Sequence, residues 1–211
     1  MTNFLSIDID YCLSSSDFVD VFELFAKNCP NIKRKNLHYG QYHVDVLDLI
    51  KKIKTPINLY NIDLHHDIFY EHETSIAEVK SGIVSSANWV LWTLLNKRIE
   101  SYTWIKQPSS EDFSEEMLEL FNNSQLHESN YTIVDSRNVV FASKLAFAHG
   151  KEDSFIKQKP KIFTETRIRN CLSDINFDYI FFCLSPDYTP KEHHYLYDLL
   201  KISADSIFSK T

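Results

Sequence analysis

Glycine is scarce in this chain, with three in 211 residues. A phosphate-cradling loop or dinucleotide-binding turn needs clustered glycines to bring backbone N–H groups against phosphate, and no such run is present. Six prolines and so few glycines also leave no material for flexible linkers or low-complexity segments. Positive charge is short as well: 22 Lys and Arg face 29 Asp and Glu, giving a net charge of −7 and a pI near 5.7. Binders of the phosphate backbone present a basic face, so nucleic acid is not an expected partner. Cys12, Cys29, Cys171 and Cys183 form no C-x-x-C pair and read as reduced, mostly buried thiols. No run of 18 apolar residues is available to span a bilayer, which excludes a membrane helix. The first residues, Met1-Thr2-Asn3-Phe4-Leu5, lead straight into acids rather than into a signal peptide. The expected location is cytoplasmic, away from membranes. No Ser-His-Asp order points to a serine nucleophile.

What the chain does have is core material: 44% hydrophobic and 14% aromatic residues. A length of 211 residues fits a single domain over 1–211 with a sizeable core. An acidic protein is suited to hold cations, either metal ions or a positively charged substrate.

Along the chain, Phe4 to Ile9 is an apolar run reaching Asp8 and Asp10, read as a strand. Ser14-Ser15-Ser16-Asp17 offers N-caps for a helix through Phe18, Val19, Phe22, Leu24 and Phe25 that stops near Pro30. Val44, Leu47, Ile50 and Ile53 form a helical stripe, and Pro56 to Ile62 a strand that delivers Asp63. Val84 to Arg98 reads as a buried helix, Tyr102 to Ile105 as a strand closed by Pro108, and Ser110 as the cap of an amphipathic helix through Phe121. Tyr131 to Val134 and Val139 to Ala142 look like strands, with surface loop around Lys151-Glu152-Asp153. Phe177 to Leu184 is the near-continuous apolar run of a central parallel strand, and Thr189-Pro190 opens a last helix through Leu200. Strands alternating with helices predict a three-layer αβα fold with a mostly parallel sheet. Ligands in such sheets sit beyond the carboxyl ends of the strands, where Asp10, Asp63 and the Ser185-Pro186-Asp187 turn all fall.

The candidate site is Asp63-Leu64-His65-His66-Asp67. Asp63 continues a strand and the rest turns outward, so Asp63, His65 and Asp67 can converge on one point. Carboxylate and imidazole together suit Mn²⁺, Zn²⁺ or Fe²⁺ rather than Ca²⁺. Asp8 and Asp10 offer two more carboxylates at another strand end, and His43 precedes the strand that carries Asp63. A D-x-D pair alone is commonly a cap or polar strand end, and a lone histidine an ordinary hydrogen-bonding residue. Gathered carboxylates need a compensating cation, and two ions would explain so many acids.

Asp63-Leu64-His65-His66-Asp67 resembles the D-x-H-x-D signature of the arginase/ureohydrolase superfamily, with His43 near its upstream metal histidine and Asp8-Ile9-Asp10 resembling its D-x-D pair. The wider pattern is closer to a short arginase-like family that includes peptide arginases of ribosomal-peptide maturation. It is carried also by Ala87-Asn88-Trp89-Val90 and by Leu184-Ser185-Pro186-Asp187-Tyr188-Thr189-Pro190; residues 106–175 add nothing to it. The resemblance implies an arginase/deacetylase-like fold and two Mn²⁺ ions per chain. Asp63 and Asp8 would bridge them, His43 and Asp67 completing one ion and His65 and Asp10 the other. It further implies hydrolysis of a guanidinium to urea and ornithine, with Asp67 as proton shuttle. Two departures matter. The D-x-D pair precedes the D-x-H-x-D motif instead of following it, implying a rearranged strand order. Where arginases carry an asparagine that grips the free α-carboxylate stands Phe69, which favours arginine inside a precursor peptide over free arginine.

His66, also a candidate for catalysis, is expected to point away from the metals; Asn88 and Asp187 are candidate substrate contacts, each with a bland alternative as a cap or turn residue. His193-His194 and His72 read as surface residues, and Tyr60, Tyr70 and Trp104 as core or rim. Two other functional readings stand beside the first: a hydrolase of a small guanidino compound or acylated amine, and a non-catalytic interaction protein with a vestigial metal rim. Self-association is left open.

Overall fold

The computed structural model describes residues 2–68, 72–107, 109–110, 130–135, 138–142, 161–162, 172 and 175–209. Among them one sheet runs in the order β2-β8-β1-β3-β4-β5-β6-β7. Its strands are β1 (Thr2–Asp8), β2 (Leu37–Gly40), β3 (Ile57–Ile62), β4 (Ile99–Lys106), β5 (Asn130–Asp135), β6 (Asn138–Ala142), β7 (Lys161–Ile162) and β8 (Tyr179–Cys183). Every pairing from β2 through β5 is parallel; β6 and β7 add on antiparallel. The fold is therefore the expected α/β architecture with a mostly parallel sheet and helices on both faces.

Alternation along the strands builds two cores. Leu5 and Ile7 of β1, with Ile180 and Phe182 of β8, pack under α1 (Ser15–Asn28) and the C-terminal helix. Phe4, Ile57, Leu59, Tyr102, Trp104 and Phe181 face the other way, under α2 (Leu47–Ile50) and α4 (Trp89–Leu95). Between α2 and α4 in sequence lies α3 (His72–Ser81), and the last helix is α5 (His194–Phe208). The Ser14 hydroxyl caps α1, with Asp17 reaching back to the Ser14 N–H. Each fully buried aliphatic or aromatic side chain in these layers contributes about 1.5–3 kcal/mol. Among the described residues no helix is long and apolar enough to cross a membrane.

Several elements differ from the sequence reading. The stripe from Val44 to Ile53 forms a 3-10 turn (His43–Val46) followed by the single turn of α2. The helix expected over Val84–Arg98 is confined to Trp89–Leu95. The Asn88 side chain accepts from the Ser85 N–H and holds the preceding turn, while Lys97 at φ 53 takes the left-handed conformation that ends it. Strand β2 was not expected: it is four residues long and mostly polar, and it pairs with β8 on one side. Its last residue, Gly40, is required by space, since a Cβ there would lie 2.7 Å from Asp45 Cβ. The helix expected from Ser110 and the loop around Lys151 lie outside the described residues.

Candidate metal centre

The chain leaves β1 toward β2 on one flank of the sheet and returns to β3 on the other. The carboxyl ends of β1 and β3, adjacent in the sheet, thus form a topological switch point, where α/β folds bind ligands. Asp8 closes β1, Asp10 follows in a 3-10 turn, and Asp63 comes directly after β3. Register puts Ile7 opposite Ile62, so the two acidic motifs, far apart in sequence, meet side by side. His43 enters from its own turn over the face covered by α2 and α4.

The six proposed metal ligands converge. His43 Nδ1 lies 2.7 Å from Asp67 Oδ2, 3.0 Å from Asp63 Oδ2 and 3.2 Å from Asp8 Oδ2. His65 Nδ1 lies 2.9 Å from Asp10 Oδ2 and 3.9 Å from Asp63 Oδ1. Two groups whose ligand atoms lie close enough to share an ion follow, His43-Asp63-Asp67 and Asp10-Asp63-His65, and Asp63 belongs to both. A third group joins Asp8 and His43 to the buried Cys183, whose thiol burial keeps protonated. His43 is buried, and its Nδ1 makes no aligned hydrogen bond despite three carboxylates within 3.2 Å. A nitrogen left so among acids fits a shared cation, and the donor set of imidazole and carboxylate fits a divalent transition metal.

Neutral groups hold these ligands from behind. His43 Nε2 sits 2.7 Å from Ser6 Oγ; a proton there leaves Nδ1 free to ligate. Trp89 Nε1 donates to Asp67 Oδ2 at 2.6 Å, and Asn61 Nδ2 to Asp63 Oδ2 at 3.0 Å. The Ser185 hydroxyl donates to Asp8 Oδ2 at 2.5 Å, and the Leu64 N–H to Asp10 Oδ1 at 3.2 Å. Asp67 (φ 53) and Ser185 (φ 46) both occupy the left-handed region. Such backbone persists only where surrounding contacts over-determine it, and for Asp67 these are the indole bond and a Val90 N–H donated to its carbonyl.

Without a cation, the acids cannot all stay ionised. Burial first, then the charges of Asp8 and Asp63, raises the pKa of Asp10; burial and the Asp67 charge lift Asp63 to about 8. Burial pushes Asp8 up too, but the imidazole of His43 beside it and the Ser185 hydroxyl hold it below the usual value. Burial would lower His43, yet the neighbouring carboxylates, Asp67 foremost, keep it well above an ordinary histidine. The Asp10 hydrogen bond carries His65 to about 9. The centre therefore stores protons that a divalent ion would displace.

A cavity of about 620 Å³ opens over the centre, walled by Asp8, Asp10, His65, Trp104, Ser110 and Tyr188 among others. His66 also lines it, contrary to expectation. Strand alternation ends at Asp63, and the left-handed Asp67 turns the motif, so an alternating rule no longer assigns its side chains. Its Nδ1 accepts from the Ile68 N–H, its ring meets Trp104 edge-on, and burial lowers its pKa to about 4, so it is a neutral donor through Nε2. Asn88 is spent elsewhere, its oxygen on Ser85 and its amide nitrogen on Glu78, and does not line the cavity. Asp187 lines a smaller neighbouring pocket, and Phe69 lies outside the described residues. Sequence reasoning missed Ser6 and Asn61. Each stands two residues before a ligand acid on the same strand face, and a polar residue at that spacing in an apolar strand is the signal that finds them.

No family model, curated protein or solved structure matches the chain.

Proposed function

We propose that this chain is an arginase-like, binuclear metal-dependent hydrolase acting on the guanidinium of arginine residues within a peptide, with urea and an ornithine residue as products. The observation that carries the reading is Asp63 reaching two ligand sets at once, His43 and Asp67 on one side and His65 and Asp10 on the other. Asp8, Asp63, Asp67 and His43 would hold one Mn²⁺, and Asp10, His65 and Asp63 the other. Four carboxylates would balance the charge of two divalent ions, so the loaded centre would carry no excess positive charge to repel a cationic substrate. When bound, the ions lower the pKa of a shared water so that a nucleophile exists near neutral pH.

The chain's own groups then account for the rest. Trp104 and Tyr188 bound a cavity wide enough for a flat guanidinium, and the buried acids favour its charge. The oxygen of water forms a bond to the guanidinium carbon while the bond to the side-chain nitrogen breaks. Asp67, with Oδ2 fixed by the Trp89 indole, passes a proton to that departing nitrogen through Oδ1. His66, neutral and in the cavity lining, would contact the substrate. Phe69, standing where arginases carry the asparagine that grips a free α-carboxylate, supports a peptide substrate.

The test is mass spectrometry of blocked arginine peptides incubated with Mn²⁺-loaded protein. The expected result is a mass change of one urea lost and one water gained, with urea in equal amount. Unchanged peptides, with free arginine and agmatine also untouched, would refute the reading; urea from agmatine alone would move it to small guanidines.

A further inference from the structure

Beside the metal cavity lies a second pocket of about 200 Å³, lined by Tyr42, Ser85 and Asp187 and sharing Ser86, Ala87, Ser185 and Tyr188 with the lining of the first. Tyr188 is the wall between them: one side of it meets the His65 ring at 5.2 Å between centroids, and it also lines the second pocket. We propose that this pocket is a subsite for a second cationic group of the substrate, a lysine or arginine side chain close in sequence to the arginine that reacts. The inference rests on the peptide-hydrolase reading above.

Three features point to a cation. The Asp187 carboxylate lies exposed in the lining of this pocket and pairs with no described basic side chain, so its charge is available to a ligand. Tyr42 and Tyr188 are 46% and 58% exposed, so both offer ring faces, on which ammonium and guanidinium groups settle favourably. The walls are also preformed. Tyr42 is anchored by its N–H to Asp45 Oδ2 at 3.0 Å. The Ser185–Thr189 turn is closed by the Tyr188 and Thr189 N–H groups on the Ser185 carbonyl, and the Ser185 N–H ties it to the Gln41 carbonyl. A site built before binding loses little in ordering. Reach agrees as well, because consecutive residues stand about 3.8 Å apart and a long basic side chain one or two positions away clears a single tyrosine wall.

The experiment compares two blocked peptides on the Mn²⁺-loaded protein, one with a single arginine and one with lysine added one or two residues from it. A cation on two tyrosines and a carboxylate gives a preference of roughly five- to tenfold in kcat/KM for the dibasic peptide. Asp187→Asn and Tyr42→Ala, checked for unchanged metal content, should each bring that ratio toward one, and added salt should shrink it in the wild type. A wild-type ratio near one, or a ratio untouched by both variants, overturns the subsite. If no peptide releases urea, calorimetric titration of the same uncleaved pair gives the ratio of Kd values instead. A dibasic preference lost in Asp187→Asn upholds the subsite while the reaction fails; equal Kd values overturn it.

Discussion

The two halves of the centre are built from the same residue types and differ in how the fold holds them. The inner half is sealed: His43 has 1% of its side chain exposed and Asp67 7%, Ser6 stands behind the imidazole and the Trp89 indole behind the carboxylate. The outer half stands at the cavity mouth. Its His65 side chain is 48% exposed, bonded to Asp10 and leaning on the exposed Tyr188. Asp63, 1% exposed, serves both. An imidazole locked by a buried hydroxyl behind it has one orientation, whereas one held by its ligand-side partner alone can swing. Under the proposed binuclear reading, the inner half is thus expected to retain its ion, and the outer half to exchange its ion and meet the substrate.

Removing what the halves share should have the largest effect. Asp63→Asn keeps the volume and takes away the bridging charge, so Mn²⁺-loaded protein should lose both ions, read by elemental analysis, and with them all urea release. Next comes the asymmetry itself. His43→Ala leaves buried carboxylates with no imidazole and should empty both positions, while His65→Ala should keep the inner ion and lose the outer one. Equal metal content in the two variants would break the comparison.

Acidity sharpens it further. Asp63 is raised from 3.8 to about 8 and His65 from 6.5 to about 9, so the folded, metal-free chain binds more protons than the unfolded chain between pH 4 and 9. Its stability should therefore fall as pH rises through that window. Asp8, lowered, runs the other way and loses its contribution only on acidification. Mn²⁺ displaces those protons, so its affinity should rise from pH 6 to 9, and the gain in Tm on loading should widen; a gain independent of pH would contradict the proton count. The smallest effect is expected from Ser6→Ala. Removing the hydroxyl behind His43 should weaken the inner ion by about ten- to a hundredfold, with the outer ion changed less, as read by competition with a chelator.

Much of this was legible in the sequence because buried parallel strands write themselves plainly. Phe4–Ile9 is an apolar run that reaches acids, and Pro56–Ile62 carries Ile57, Leu59 and Ile62 up to Asp63, so both strands and the edge bearing Asp8, Asp10 and Asp63 followed directly. The pairing of His43 with Asp67 and of His65 with Asp10 agrees with the distances. What escaped has physical reasons. Strand β2 buries little more than Leu37, so it lacks an apolar pattern. The α4 boundaries depend on an Asn88 turn and a left-handed Lys97 that no glycine announces. His66 faces the cavity because the chain has left the strand, and the Trp89 indole, readable as core, is known to serve Asp67 only once α4 is set beside the motif.

The most direct test is an anomalous-scattering map of crystals grown with Mn²⁺. The account predicts two peaks beside Asp63, one against His43 and Asp67 and one against His65 and Asp10. A map with no peak between Asp8 and Asp63 would contradict it.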